Sequence, residues 1–198
     1  MLRIGKQHTL ILLVALLASG CSRPAATSSG LAEGNTPTQC GAERWAVKTL
    51  TDPEAGRVNL APKPATVETL AGLPVPDGFG RDAQRLEPET QAYTVAATLV
   101  EFKEETDSDI HLVIVGASGQ SMIAEIPDPS CAQGSRVLPQ ISRARAQFVG
   151  RFGQPGPSWH HVNAPIQVTG VLFFDVPHGQ AGVAPNAVEL HPVVDVSP

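Results

Sequence analysis

Aromatic side chains are scarce in this chain, at 5% of 198 residues, whereas proline and glycine number 18 each. So many breakers exclude a helical bundle and point to a turn-rich, β-rich protein. Basic residues are the minority, with 14 Lys and Arg against 19 Asp and Glu. An acidic chain repels phosphate backbones and anionic surfaces over long range, which argues against nucleic acid as a partner. Signatures of known chemistry are missing too. The chain has no twelve-residue calcium-loop pattern. Gly116-Ala117-Ser118-Gly119 lacks the G-x-S-x-G elbow and falls in a hairpin rather than a strand-to-helix turn. Nothing calls for a cofactor. The length suits one domain with a core plus appendages.

The N-terminus carries an address. Arg3 and Lys6 precede an apolar stretch, Leu10 to Leu17, and the small residues Ala18-Ser19-Gly20 stand directly before Cys21. The stretch is too short for a spanning helix. Small residues ending in cysteine after such a run resemble the lipobox of bacterial lipoproteins. The resemblance implies cleavage before Cys21, a lipid on that cysteine, and a membrane-anchored protein of the cell envelope. Removing residues 1–20 takes away Arg3 and Lys6, so 12 basic residues remain against 19 acidic ones, a formal charge of −7. Cys40 and Cys131 are then an even pair in an oxidising compartment, where a disulfide is expected; the alternative is two buried thiols.

Residues 21–39 are Ser, Thr, Ala, Pro and Gly with almost no large apolar side chains, as in a flexible tether. Residues 40–92 read as an irregular wrapping segment interrupted by Pro53, Pro62, Pro64, Pro74 and Pro76. Within it, Trp45 to Leu50 fits a short strand or the start of a helix. Val67, Leu70 and Leu73 recur at helical spacing and predict a short helix ending near Gly72.

The domain proper is expected over 93–198. A three-stranded meander runs from Tyr93 to Pro127. Its first strand switches apolar parity at Leu99–Val100, which implies a bulge. Its second, Ile110 to Val115, is apolar on both parities except His111 and should be central. The third places Met122, Ala124 and Ile126 on one face, with Ser121, Ile123 and Glu125 on the other. A helix is predicted over 139–152, with Ile141, Ala144, Phe148 and Phe152 on one face. Two strands follow, Pro165 to Asp175 with a bulge or close approach at Gly170, and Ala187 to Val196 with Pro192 inside it. This order resembles the OB-fold, a five-stranded Greek-key barrel with a helix between its third and fourth strands. The alternative is a small β-sandwich with one helix. The stretches DIHLVIVGASGQSMIAEIPDPSC and HGQAGVAPNAVELHPV also resemble an uncharacterised family of bacterial secreted proteins, a resemblance that implies a domain and no reaction.

In an OB-fold the ligand face is flanked by the loops between strands one and two and between strands four and five. Here the first holds Glu104, Glu105, Asp107 and Asp109, and the second His178, Gln180 and Asn186. If they meet, carboxylates and an imidazole converge on a cation or cationic ligand; the plainer reading is a solvated acidic hairpin and a glycine-rich turn. His160 and His161 are expected before the fourth strand, at the far end of the barrel. His111 and His191 are expected to be hydrogen-bonded structural histidines that do not stand side by side. Arg143, Arg145 and Arg151 form a basic stripe on the helix, where pairing with the surplus acids is the default. Tyr93, Phe102, Phe173 and Phe174 are the only aromatics placed to stack on bases, and core packing explains them as well. The expectation is a lipid-anchored protein with a non-enzymatic binding or structural role, its protein or small-molecule ligand unknown. The alternative is a metal-assisted hydrolase using Asp107, Asp109 and His178.

Overall fold

The structure, a computed structural model, describes residues 39–41 and 43–198. The expected signal segment 1–20, Cys21 and the expected tether 21–39 apart from Gln39 therefore lie outside the described residues. No helix among the described residues is long and apolar enough to cross a membrane.

Six strands make one sheet: β1 (Asn59–Ala65), β2 (Gln91–Glu104), β3 (Ile110–Val115), β4 (Ser121–Ile126), β5 (His160–Phe174) and β6 (Val188–Ser197). Their order is β1-β2-β3-β4-β6-β5, and β2 also pairs with β5, so that all strands but β1 form a ring. One sheet, not two facing ones, carries the fold, which corrects the sandwich alternative. The count of five strands is also corrected. β1 comes from the segment expected to be irregular and pairs parallel with the start of β2. Its Pro62 and Pro64 are tolerated because it is an edge strand with one neighbour.

β2 can serve β1, β3 and β5 because it is long and bent. Its register shifts between Leu99 and Glu101 against both β3 and β5, where the apolar parity changes. The ring interior is filled by Val95, Leu99, Phe102, Leu112, Ile114, Met122, Ala124, Ile126, Val168 and Leu190, all fully buried. Phe102, Phe173 and Phe174 are buried completely, as core packing requires.

Three helices attach to the sheet. α1 (Trp45–Lys48) is a single turn, α2 (Val67–Ala71) is capped by the Thr66 hydroxyl accepting from Thr69 N, and α3 (Leu138–Phe152) is the main helix. α3 buries Ile141, Ala144 and Phe148, and the ring of Phe148 meets Phe102 edge-on at 5.0 Å. Gly153 at φ 86° ends it, a conformation that glycine adopts without strain. On its outer side Arg145 pairs with Glu104 at 3.5 Å and Asp128 at 3.8 Å.

The segment before β1 is fastened at several points. Cys40 and Cys131 are disulfide-bonded. The buried Arg44 guanidinium pairs with Glu89 at 2.6 Å and donates to Phe174 O at 2.8 Å. Breaking such a buried pair by removing one partner costs about 3–5 kcal/mol. These ties hold α1 against the outer face of the sheet.

Candidate functional site

The site grows out of strand register. His111 on β3 stands opposite Glu125 on β4. On the other side of β4, the parallel pairing of Ala124 with Leu190 brings β6 alongside, with His191 next to Glu125. Side chains two residues apart share a face of a strand. Asp109 therefore joins His111, and Glu189 joins His191. The result is a row of acids and imidazoles on the face turned away from the apolar interior. Such a face is normally solvated, but here α1 covers it.

Inside this covered row, Glu125 is shared by both histidines. Its Oε1 is 2.9 Å from His111 Nδ1 and its Oε2 is 3.0 Å from His191 Nδ1. As expected, strand order keeps His111 and His191 from standing side by side, since β4 lies between their strands, but β4 presents a carboxylate that both contact. His111 also hydrogen-bonds Ala181 O through Nε2 at 3.0 Å, which ties the 177–186 loop to the row. Lys48, from α1, reaches Asp175 at 3.3 Å and Glu125 at 4.0 Å. The rings of Trp45 and Phe173 meet His191 edge-on at 6.3 and 5.9 Å.

Burial and charge pull the ionisations in different directions. Burial pushes Asp109 up to about 6, although His191 beside it acts the other way. Glu189 is pushed up to about 7 by burial and then by the charge of Glu125. Burial would raise Glu125 as well, but its contacts with His111 and His191 and the charge of Lys48 hold it well below the usual carboxylate range. Burial alone would depress His111, His191 and Lys48; the carboxylates that face them outweigh it and raise all three.

Above the row opens a cavity of about 350 Å³. Glu105, Thr106 and Asp107 line it from the β2–β3 turn, and His178 and Gln180 line it from the β5–β6 loop. Trp45 and Lys48 close it from α1, while His111, Glu125 and Asp175 form its sheet side. The two loops singled out in the sequence thus face one space. Their residues do not act as one set, however. Glu104 turns away to Arg145, and Asp109 is buried beneath the cavity rather than lining it. Glu105 pairs with Lys103 at 3.1 Å and lies 3.6 Å from His111. His178 is exposed and hydrogen-bonds Val176 O through Nδ1 at 3.0 Å. Among the described residues, the group with metal-ligand spacing is Asp109, Glu125 and His191, not Asp107, Asp109 and His178.

His160 and His161 also sit differently from expectation. They begin β5 and pair with Phe102 and Glu101, so they lie at the same end of the ring as the 105–109 turn. Alternation turns them apart: His160 stacks on Phe102, whereas His161 approaches Glu101 at 3.1 Å. Lys48, Trp45, Glu125, Asp175 and Glu189 were not predicted as site residues. Of these only Glu189 carries a sequence signal, the repeated acid-x-His pattern Asp109-x-His111 and Glu189-x-His191.

No protein-family model, curated protein or solved structure matches this chain.

Proposed function

We propose that this is a lipid-anchored envelope protein, attached through Cys21, whose OB-like barrel binds a small, positively charged ligand without transforming it. The observation that carries this reading is the makeup of the cavity: Glu43, Glu105, Asp107, Glu125 and Asp175 face it, against Lys48, Arg81 and the two histidines His111 and His178. Arg81 pairs with Glu43, and Lys48 with Asp175. Asp107 has no Lys or Arg partner among the described residues, and its Oδ1 accepts only a 3.3 Å bond from Asp109 N. A partly desolvated carboxylate of that kind favours a cation. The indole of Trp45 supplies an apolar wall that an ammonium group also prefers. A volume of about 350 Å³ suits a small molecule rather than a peptide.

The strand order supports the barrel reading, since β2 to β6 follow the OB order with the main helix between the third and fourth strands of the ring. The hydrolytic alternative has less support. Among the described residues its ligands Asp107, Asp109 and His178 do not form a metal-spaced group, and the one hydroxyl lining the cavity, Thr106, is not hydrogen-bonded to a base.

Calorimetric titration of the mature chain carrying Cys21→Ser with a panel of small primary, quaternary and diamine cations tests the proposal. At least one is expected to bind, with affinity falling on added salt and falling roughly tenfold or more in Asp107→Asn, a loss in the range for one charge-assisted contact. Binding untouched by Asp107→Asn, or no binding by any cation of the panel, rejects it.

A further inference from the structure

We propose that Asp109, Glu125 and His191 hold a divalent transition-metal ion beneath the cavity, a site that shares only Glu125 with the cation pocket proposed above. The key geometry lies between two buried atoms. Asp109 Oδ2 and His191 Nε2 are 3.4 Å apart, on side chains 1% and 0% exposed. Neither has a hydrogen-bond partner among the described residues. At that distance they are near enough to bond each other, so alignment is what fails.

His191 Nδ1 is hydrogen-bonded to Glu189 at 3.3 Å, with Glu125 also at 3.0 Å. A carboxylate accepts and does not donate, so one ring proton belongs on Nδ1; the surrounding acids favour a second on Nε2, and that is the proton a metal ion displaces to gain the lone pair. Nε2 and Asp109 Oδ2, poorly aligned for a hydrogen bond with each other, stand as two ligand atoms in a dry site, where a bound cation takes the place of the proton.

The spacing suits a metal. Ligands bound at about 2.0–2.1 Å in a tetrahedral arrangement stand about 3.3–3.4 Å from one another. One ligand atom from each of Asp109, Glu125 and His191 lies within 4.8 Å of the others. A histidine that presents one nitrogen to a metal and gives its other N–H to a carboxylate is the usual outer-shell arrangement of metal sites, and Glu189 fills that role. Charge agrees as well. The carboxylates of Asp109, Glu125, Asp175 and Glu189 outnumber the one lysine, Lys48, that reaches into the row. One imidazole with two carboxylates selects a zinc-, cobalt- or manganese-type ion over calcium, which takes six to eight oxygens. Glu125 lines the cavity and gives the ion its entrance.

The test uses the mature chain with Cys21→Ser, stripped with EDTA and dialysed against Zn2+ or Co2+, followed by elemental analysis. About one ion per chain is expected, as for a built three-ligand site. Bound Co2+ should show visible absorption and quench the fluorescence of Trp45, whose ring centroid is 6.3 Å from that of His191. Asp109→Asn keeps the shape and removes the charge. It should weaken binding by more than the roughly 10–100-fold that an outer-shell change costs. Should Asp109→Asn fail to fold, nitrogen-15 imidazole spectra of the unaltered site decide: Zn2+ must shift His191 and not only the exposed His160, His161 and His178. A stripped chain that takes up no ion, a folded Asp109→Asn that binds equally well, or shifts confined to the exposed histidines each overturns the proposal.

Discussion

Glu68 illustrates how one side chain outside the site sets a measurable pH response. Its carboxylate accepts from Ser118 N at 2.8 Å and from Ser118 Oγ at 2.9 Å, closing the 116–119 turn from α2. The backbone bond from Ser118 leads in holding its carboxyl down to about 2. A depressed carboxyl stabilises the fold at pH values above its unfolded pKa, and that contribution disappears as pH falls through the folded value. The affected window therefore runs from about 4.5 down to about 2. A carboxyl-detected NMR titration should find Glu68 titrating near the bottom of that window, and a midpoint near 4.5 would contradict the turn geometry. The same scale shows why the site was only half legible. Asp107 and His178 stand in loops, where charged residues advertise themselves. Glu125 and His191 sit on the strand parity that faces away from the ring interior. Parity tells which face a residue takes, but not whether that face is solvated or roofed by a distant segment. Only the position of α1 decides that, and no local pattern in Trp45–Lys48 announces it.

Among the elements, strands that bend or approach closely are readable, because a bulge breaks an alternation that can be counted. The parity change at Leu99–Val100 and the interior Pro192 both mark register shifts, the latter beside a cis His191–Pro192 bond. β1 is harder to see: Pro62 and Pro64 disguise a strand that needs hydrogen bonds on one side only. Gly170 offers the sharpest element-scale test. The β5–β6 register shifts on both sides of it, and a Cβ there would stand 2.9 Å from Leu190 Cβ and 3.1 Å from Pro192 O. Gly170→Ala must push two strands apart next to His191, and overpacking of this kind costs about 1–3 kcal/mol. Urea denaturation should show the midpoint lowered by that amount with the slope unchanged. An unchanged midpoint would mean that the strands yield without cost.

At the scale of the whole molecule, the segment 39–50 belongs to the sheet energetically although it contributes no strand to it. The disulfide from Cys40 reaches Cys131, 91 residues on, just past the end of β4. The indole of Trp45 donates to Cys131 O at 3.0 Å from the same cover. Closing so long a loop restricts the unfolded chain more than the folded one, which in the chain-entropy treatment stabilises by about 4–5 kcal/mol. The folded cover has a second anchor that does not depend on the sulfurs, the buried Arg44–Glu89 pair with its bond to Phe174 O. Removing the disulfide should therefore lower stability without changing the native state. For Cys40→Ser combined with Cys131→Ser, far-UV circular dichroism and Trp fluorescence in buffer are expected to match the parent. The denaturation midpoint should fall by an amount equivalent to several kcal/mol, toward the loop-closure figure. A native fluorescence spectrum shifted to the red would show instead that the disulfide, rather than Arg44, keeps α1 over the acid–imidazole row. A midpoint changed by less than about 1 kcal/mol would show that the unfolded chain is already restricted by other means.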